Sequence, residues 1–195
     1  MGTKVLLHIC CAPCAIYPLR ILREQGYDVC GLFYNPNIHP YLEYRRRLEA
    51  LEGYAAGEGL RIIGGEDYPL ETFLREVAFR EENRCRHCYD LRLNRAADVA
   101  AGEGFDLFTT TLLYSRFQRH ALIADSGQGA AARKNVEFLY CDFREGWAEG
   151  VRTSKARGIY RQAYCGCIYS EKDRYCPANR GRIPASPVSG DPAPV

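Results

Sequence analysis

Short apolar runs alternate along this chain with stretches of helical periodicity, and that alternation constrains the fold more than any other feature. Val5 to Ile9, Tyr27 to Tyr34, Leu60 to Ile63, Asp106 to Thr110 and Val136 to Tyr140 have the length and composition of strands. Between them the pattern predicts helices over Ile16 to Gln25, about Tyr41 to Ala56, Leu70 to Phe79, Tyr89 to Ala101 and from about Arg116. Strands that alternate with helices need crossover connections, which are right-handed. The expected fold is therefore an α/β, Rossmann-like domain with a parallel sheet and helices on both faces. In the long helix Tyr41, Tyr44, Leu48 and Leu51 recur at spacings of three and four, which predicts one buried face. Pro18 is placed near the first turn of the first helix, where its missing N–H costs little.

The 195 residues suffice for one domain with a proper core, expected over residues 1–178. From about Asn179 to the end the chain is rich in Pro, Ser and Gly and lacks periodicity, so a disordered tail is expected over 179–195. The apolar run Val5 to Ile9 is too short for a signal sequence or a membrane span, so the chain reads as soluble and cytoplasmic. In open parallel sheets the loops at the carboxyl ends of the strands form the site. Cys10 to Cys14, Asn35 to Pro40 and Thr109 to Ser115 occupy three such positions.

Seven of the ten cysteines fall in three tight groups: Cys10, Cys11 and Cys14; Cys85 and Cys88; Cys165 and Cys167. In a reducing compartment such groups point to metal or redox chemistry rather than to structural disulfides. Four thiolates can hold a tetrahedral zinc or an iron–sulfur cluster, and spacing alone does not separate the two. The simplest zinc reading pairs Cys11 and Cys14 with Cys85 and Cys88. Two features favour redox chemistry: Cys10 is superfluous for a zinc clip, and Cys165-Gly166-Cys167 has a use of its own. A disulfide across one intervening residue would be strained and easily reduced, as suits a catalytic couple. Gly166 permits backbone angles that a larger residue resists. The bland alternative makes Cys165 and Cys167 further metal ligands. Cys30 and Cys141 read as small buried hydrophobes, and Cys176 as idle. A helix starting just after Cys14 would add the partial positive charge of its N-terminus, which stabilises thiolates.

A net charge of +2 does not by itself indicate nucleic-acid binding. Arginines are nonetheless clustered, as Arg45, Arg46 and Arg47 and as Arg84, Arg86, Arg92 and Arg95, and each alone reads as part of a solvated helix face. The chain has neither a G-x-x-x-x-G-K-[ST] loop nor a G-x-G-x-x-G fingerprint. No Ser-Gly-Gly-x-Asp stretch follows the first strand, where Cys-Cys-Ala-Pro-Cys stands instead. ATP-driven chemistry such as tRNA thiolation is disfavoured.

The motifs His8-Ile-Cys-Cys-Ala-Pro-Cys14, Phe33-Tyr-Asn-Pro-Asn-Ile-His-Pro40 and Arg84-Cys-Arg-His-Cys-Tyr-Asp-Leu-Arg-Leu93 occur in that order. Phe108-Thr-Thr-Thr-Leu-Leu113, Asp142-Phe-Arg144 and Tyr160-Arg-Gln-Ala-Tyr-Cys-Gly-Cys-Ile-Tyr-Ser170 follow. Together they resemble the cobalamin-independent epoxyqueuosine reductases over roughly residues 4 to 171. The resemblance implies an HUP-type fold and reduction of the epoxide of epoxyqueuosine at the tRNA wobble position, the last step of queuosine synthesis. It implies a [4Fe-4S] cluster on Cys10, Cys11, Cys85 and Cys88, with Cys14 in reserve, and a redox-active pair at Cys165 and Cys167. It further implies an additional mononuclear iron of unassigned ligands, a tRNA anticodon stem-loop as partner, and an electron donor of unknown identity. Arg116 and Arg119 are the leading tRNA contacts, with Arg45 and Phe117 nearby, while Tyr41 and Tyr44 are expected to pack inward. His39 and Tyr164 are considered as proton donors by proximity to motifs. The rival reading from another class is a non-enzymatic iron–sulfur or zinc module that binds RNA or senses redox state. It differs in making the Cys165 and Cys167 pair dispensable.

Overall fold

A computed structural model describes residues 2–176; the expected tail at 179–195 lies outside the described residues. Five parallel strands form one sheet: β1 (Lys4–His8), β2 (Asp28–Phe33), β3 (Ile62–Gly64), β4 (Leu107–Thr110) and β5 (Glu137–Phe138). Their spatial order is β3-β2-β1-β4-β5, so the chain grows outward from β1 first in one direction and then in the other. β1 pairs with β2 from Lys4 opposite Asp28 to His8 opposite Leu32, and with β4 from Val5 opposite Leu107 to His8 opposite Thr110. Val5, Leu6, Leu7 and Ile9 are fully buried, as a central parallel strand covered on both faces requires.

Seven α-helices occur among the described residues: α1 (Ala12–Glu24), α2 (Tyr41–Glu58), α3 (Leu70–Val77), α4 (Arg84–Glu103), α5 (His120–Lys134), α6 (Trp147–Ala156) and α7 (Ile168–Tyr175). α1 packs on α2 and α6, and α4 packs on α5. The expected Rossmann-like sheet is thus present, with the change of winding direction between β1 and β4. At that crevice the loops after the two strands diverge and leave room for a site.

Several expected boundaries move, and each move bears on the site. α1 starts at Ala12 rather than Ile16, because Cys11 takes the extended backbone of an N-cap and Pro13 occupies the first turn. Pro18 lies inside the helix instead, where it has no N–H to give the carbonyl of Cys14 one turn back. α4 starts at Arg84 rather than Tyr89, led in by a 3-10 turn over Glu81–Asn83, so Cys85 and Cys88 sit on its first turns. α5 starts only at His120, because Thr110 caps a separate 3-10 turn over Thr111–Tyr114. In α2 Tyr44, Leu48 and Leu51 are buried, but Tyr41 is 52% exposed and packs on the rings of Tyr44 and Tyr68. Arg47 and Arg92, expected on solvated faces, are the two largest fully buried side chains. α6 and α7 have no counterpart among the predicted elements.

Candidate metal and redox centre

The chain leaves β1 at His8 and reaches Cys10 and Cys11 at the crevice between β1 and β4. The sulfurs of Cys10, Cys11 and Cys14 all lie within 4.8 Å of one another. Thr111, from the loop after β4, accepts the Cys10 backbone N–H at 3.1 Å and donates to its sulfur at 3.3 Å. Gln162 Nε2 donates to Cys11 Sγ at 3.0 Å. Three thiols this close cannot all ionise at once. Hydrogen bonds from Cys11 and Cys14 hold the Cys10 thiol well below its ordinary range. The bond to Cys10 pushes Cys14 well above that range, and burial pushes Cys11 up. His8, two residues before the triad, is fully buried and links the ends of β4 and β2 across β1, with Nδ1 2.9 Å from Thr110 Oγ1 and Nε2 3.2 Å from the Tyr34 carbonyl. Burial lowers its pKa to about 4, so the ring is neutral.

Cys85 and Cys88, three residues apart on α4, share one helix face. Cys88 is buried with Phe73, Val77 and Cys167 in a small apolar cluster, and burial pushes its thiol up to about 12. One turn on, Arg92 bonds Cys88 twice: Nη2 lies 2.9 Å from its sulfur and Nε 3.2 Å from its carbonyl. Nη1 reaches Asn35 Oδ1 at 3.5 Å, and the Asn35 amide in turn donates to the Ile9 carbonyl at 2.9 Å. Besides Cys88, the ionisable groups of Cys165, Cys10 and Tyr89 lie close enough to interact electrostatically with Arg92. A member of each cysteine group therefore lies within electrostatic range of one buried guanidinium.

The third group is an anchored loop. Arg47 donates to the carbonyls of Cys165 at 2.9 Å and Tyr164 at 3.0 Å, and His39 N–H donates to the Gly166 carbonyl at 2.8 Å. Gly166 has φ +141°, and a Cβ there would stand 3.1 to 3.3 Å from Ile38, Asn37 and Arg47, so the position demands glycine on both counts. Cys167 is the N-cap of α7, its sulfur accepting from Ser170 N–H at 3.4 Å. The two sulfurs differ in access. Cys167 is buried against Cys88, whereas Cys165 is exposed and accepts from Gln118 Nε2 at 3.3 Å.

His39 and Tyr164 serve this anchoring. His39 Nδ1 accepts from Ile168 N–H at 3.2 Å, which leaves Nε2 to donate to the Pro36 carbonyl at 3.2 Å, and the Tyr164 hydroxyl donates to the His39 carbonyl. Burial raises Tyr164 to about 12. Both donors are committed to the backbone, so neither is placed to hand a proton to a substrate. Arg116, Phe117 and Arg119 lie exposed on the turn before α5. That turn is tied to the site, since the Tyr89 hydroxyl donates to Gln118 Oε1 at 2.7 Å and accepts Arg119 N–H at 3.2 Å. Cys30 is buried within β2, and Cys141 and Cys176 are half-buried.

Arg47, Arg92, Gln118, Gln162 and Thr111 were not singled out by sequence for roles at the site. The two arginines had a signal: Arg47 falls on the stripe of Tyr44, Leu48 and Leu51, and Arg92 follows Cys88 by four. The other three converge only in three dimensions.

The donor set fits an anionic metal group. Sulfur is the soft ligand that iron–sulfur clusters and zinc prefer. A buried guanidinium that finds no carboxylate among the described residues, only sulfur and neutral oxygens, favours an occupant with net negative charge. The tight triad of sulfurs includes Cys14, held in reserve above beside the four expected ligands, and does not include Cys85 or Cys88.

A family model described as Epoxyqueuosine reductase QueH matches residues 5–173. Over 175 residues the chain is 38% identical to the epoxyqueuosine reductase QueH of Dehalococcoides mccartyi, covering 90% of this chain and 96% of that one. It is 37% identical over 183 residues to the QueH of Thermotoga maritima, covering 89% and 93% respectively. A crystal structure titled as a predicted subunit of tRNA methyltransferase from Methanocaldococcus jannaschii superimposes with a TM-score of 0.53 at 14% identity. It covers 78% of this chain and 74% of that one, and at such identity the likeness concerns the fold alone.

Proposed function

The chain belongs to the epoxyqueuosine reductase QueH family of oxidoreductases, and we propose that it reduces the epoxide of epoxyqueuosine in tRNA with the Cys165 and Cys167 pair as the immediate reductant. The observation that carries this reading is the unequal placement of the two sulfurs, one exposed beside Gln118 and one buried against Cys88. Two thiols and one epoxide give one disulfide, one alkene and one water. Both carbon–oxygen bonds break, one S–S bond forms, and the two thiol protons leave with the oxygen. No separate proton donor is needed, which agrees with the commitment of His39 and Tyr164 to the backbone.

Cys165 is the thiol that meets the substrate, and Cys167 completes the disulfide from inside. Arg47 and His39 hold the loop so that closing the bond requires motion mainly about Gly166. Cys10, Cys11, Cys85 and Cys88 would hold a [4Fe-4S] cluster, which supplies electrons one at a time from an external donor whose identity is open. The tRNA anticodon stem-loop would lie across the Arg116 to Arg119 turn. An exposed thiol beside a buried partner and buried cations also suit a redox sensor, but such a module would leave the Cys165 and Cys167 pair dispensable and would not turn over epoxyqueuosine.

The test is anaerobic purification with iron and acid-labile sulfide analysis, followed by nucleoside mass spectrometry of tRNA bearing epoxyqueuosine incubated with a strong reductant. Stoichiometric zinc without sulfide would sink the cluster, and unchanged tRNA in a loaded preparation would sink the reaction.

A further inference from the structure

Two arginines are buried to the same degree in this protein, and their partners differ. Arg47 has a carboxylate, Glu43, at 2.7 Å. Arg92 has none among the described residues; its donors meet the Cys88 sulfur, the Cys88 carbonyl and the Asn35 amide oxygen. Nearby His8 cannot serve as its counter-charge, because a buried imidazole is neutral or positive. A guanidinium stays protonated under all ordinary conditions, so the charge of Arg92 persists in every state of the site. Taking such a charge out of water without an anion is strongly unfavourable. The fold tolerates it with the Cys88 sulfur in direct contact and Cys10 and Cys165 within electrostatic range.

We propose that Arg92 is the fixed counter-cation of the thiolate-held centre and sets its electron affinity. The inference rests on the iron–sulfur reading above and assigns a residue to it. A negative group that accepts an electron gains one more negative charge, and a buried cation beside it stabilises the reduced form more than the oxidised form. The N–H···S bond to Cys88 acts in the same direction by drawing charge off the sulfur. At the effective dielectric of a protein interior, one charge a few ångströms away changes such an equilibrium by on the order of tenfold or more.

The experiment compares wild type with Arg92→Gln and Arg92→Lys as anaerobically purified full-length protein. Folding is read by far-ultraviolet circular dichroism, loading by iron and sulfide content, and electron affinity by a redox titration followed by electron paramagnetic resonance. The expected result is a cluster in all three proteins. The Gln variant should take up an electron at least tenfold less readily, a shift of about 59 mV to more negative potential, and the Lys variant should stay near wild type. A folded Gln variant that loses iron while the Lys variant keeps it also supports the charge. Equal potentials in loaded wild-type and Gln proteins would overturn the proposal alone. So would equal loss of iron from both variants, which would make the requirement one of shape. A wild type without iron or sulfide would overturn the reading of the site and the proposal with it.

Discussion

Glu43 and Arg47, one turn apart on α2, close an ion pair of 2.7 Å between Oε1 and Nε in the interior. The second carboxylate oxygen accepts from the Tyr160 hydroxyl at 2.6 Å, and the two remaining guanidinium nitrogens hold the carbonyls of Tyr164 and Cys165. Arg47 is thus a connector between a rigid helix and the loop that carries the cysteine pair. The Arg47 to Glu43 pair makes the burial tolerable, because every strong donor and acceptor on the two groups finds a partner.

Removing one half of this pair should cost far more than weakening it. Arg47→Ala leaves a buried carboxylate unpaired and two carbonyls without donors, a loss of roughly 3–5 kcal/mol. Glu43→Gln keeps the shape and removes the charge, and should cost less. Urea unfolding of the reduced protein measures both. A loss below 1 kcal/mol for Arg47→Ala would show that the pair is not the anchor described.

The strands and the order of the site loops were legible in the sequence because a central parallel strand is a continuous apolar run and its loops are fixed by topology. Helix starts were less so: Cys11 as an N-cap and the 3-10 lead-in before Cys85 depend on backbone that propensity does not encode. The cysteine groups were visible by spacing. Arg92 was visible as a charge one helical turn after Cys88, but its burial follows from packing between α4 and the Asn35 loop. Tyr41 had the right helical phase for the core but lies at the first residue of α2, where the core has already ended.

Ser replacements should separate the ligands from the redox pair. Cys10, Cys11, Cys85 and Cys88 to Ser, taken singly, should each lower bound iron sharply. Cys14→Ser should be read beside them, since its sulfur lies in the same triad. Iron retained at the wild-type level in Cys11→Ser together with loss in Cys14→Ser would exchange their roles.

Acid should loosen the cysteine loop through His39. Burial lowers the pKa of this ring below the ordinary value of about 6.5. Between those two values the unfolded chain binds a proton that the folded one refuses, so stability falls as pH drops through about 6.5 toward the folded value. Protonation would also remove the acceptor for Ile168 N–H. The hydrogen-exchange protection factor of the Ile168 amide should decline over that window, and His39→Asn should abolish the decline. A protection factor flat with pH in wild type would exclude the coupling.

The RNA surface should depend on the turn before α5. Arg116 and Arg119 are exposed, with Phe117 between them 64% exposed and leaning edge-on against Trp147. Each phosphate contact removed lowers the slope of log affinity against log salt by about 0.7 to 0.9. Arg116→Ala with Arg119→Ala should therefore weaken tRNA binding and flatten its salt dependence. Unchanged affinity and slope would move the interface elsewhere.

The two sulfurs of the pair should be chemically distinguishable before any substrate arrives. Cys165 is exposed and Cys167 is buried. A short pulse of iodoacetamide on the reduced native protein should label Cys165 first, with Cys167 labelled at least tenfold more slowly, about the ratio that ~1.4 kcal/mol of local opening imposes. Peptide mass spectrometry reads the ratio directly. The same order should hold in the reaction. Cys165→Ser and Cys167→Ser should both keep iron and sulfide yet fail to produce queuosine, since one thiol cannot supply two electrons as a disulfide. Full conversion by either variant would refute the dithiol role. Loss of iron in either would place that sulfur among the metal ligands. Faster labelling of Cys167 would reverse the assignment of the outer and inner thiols.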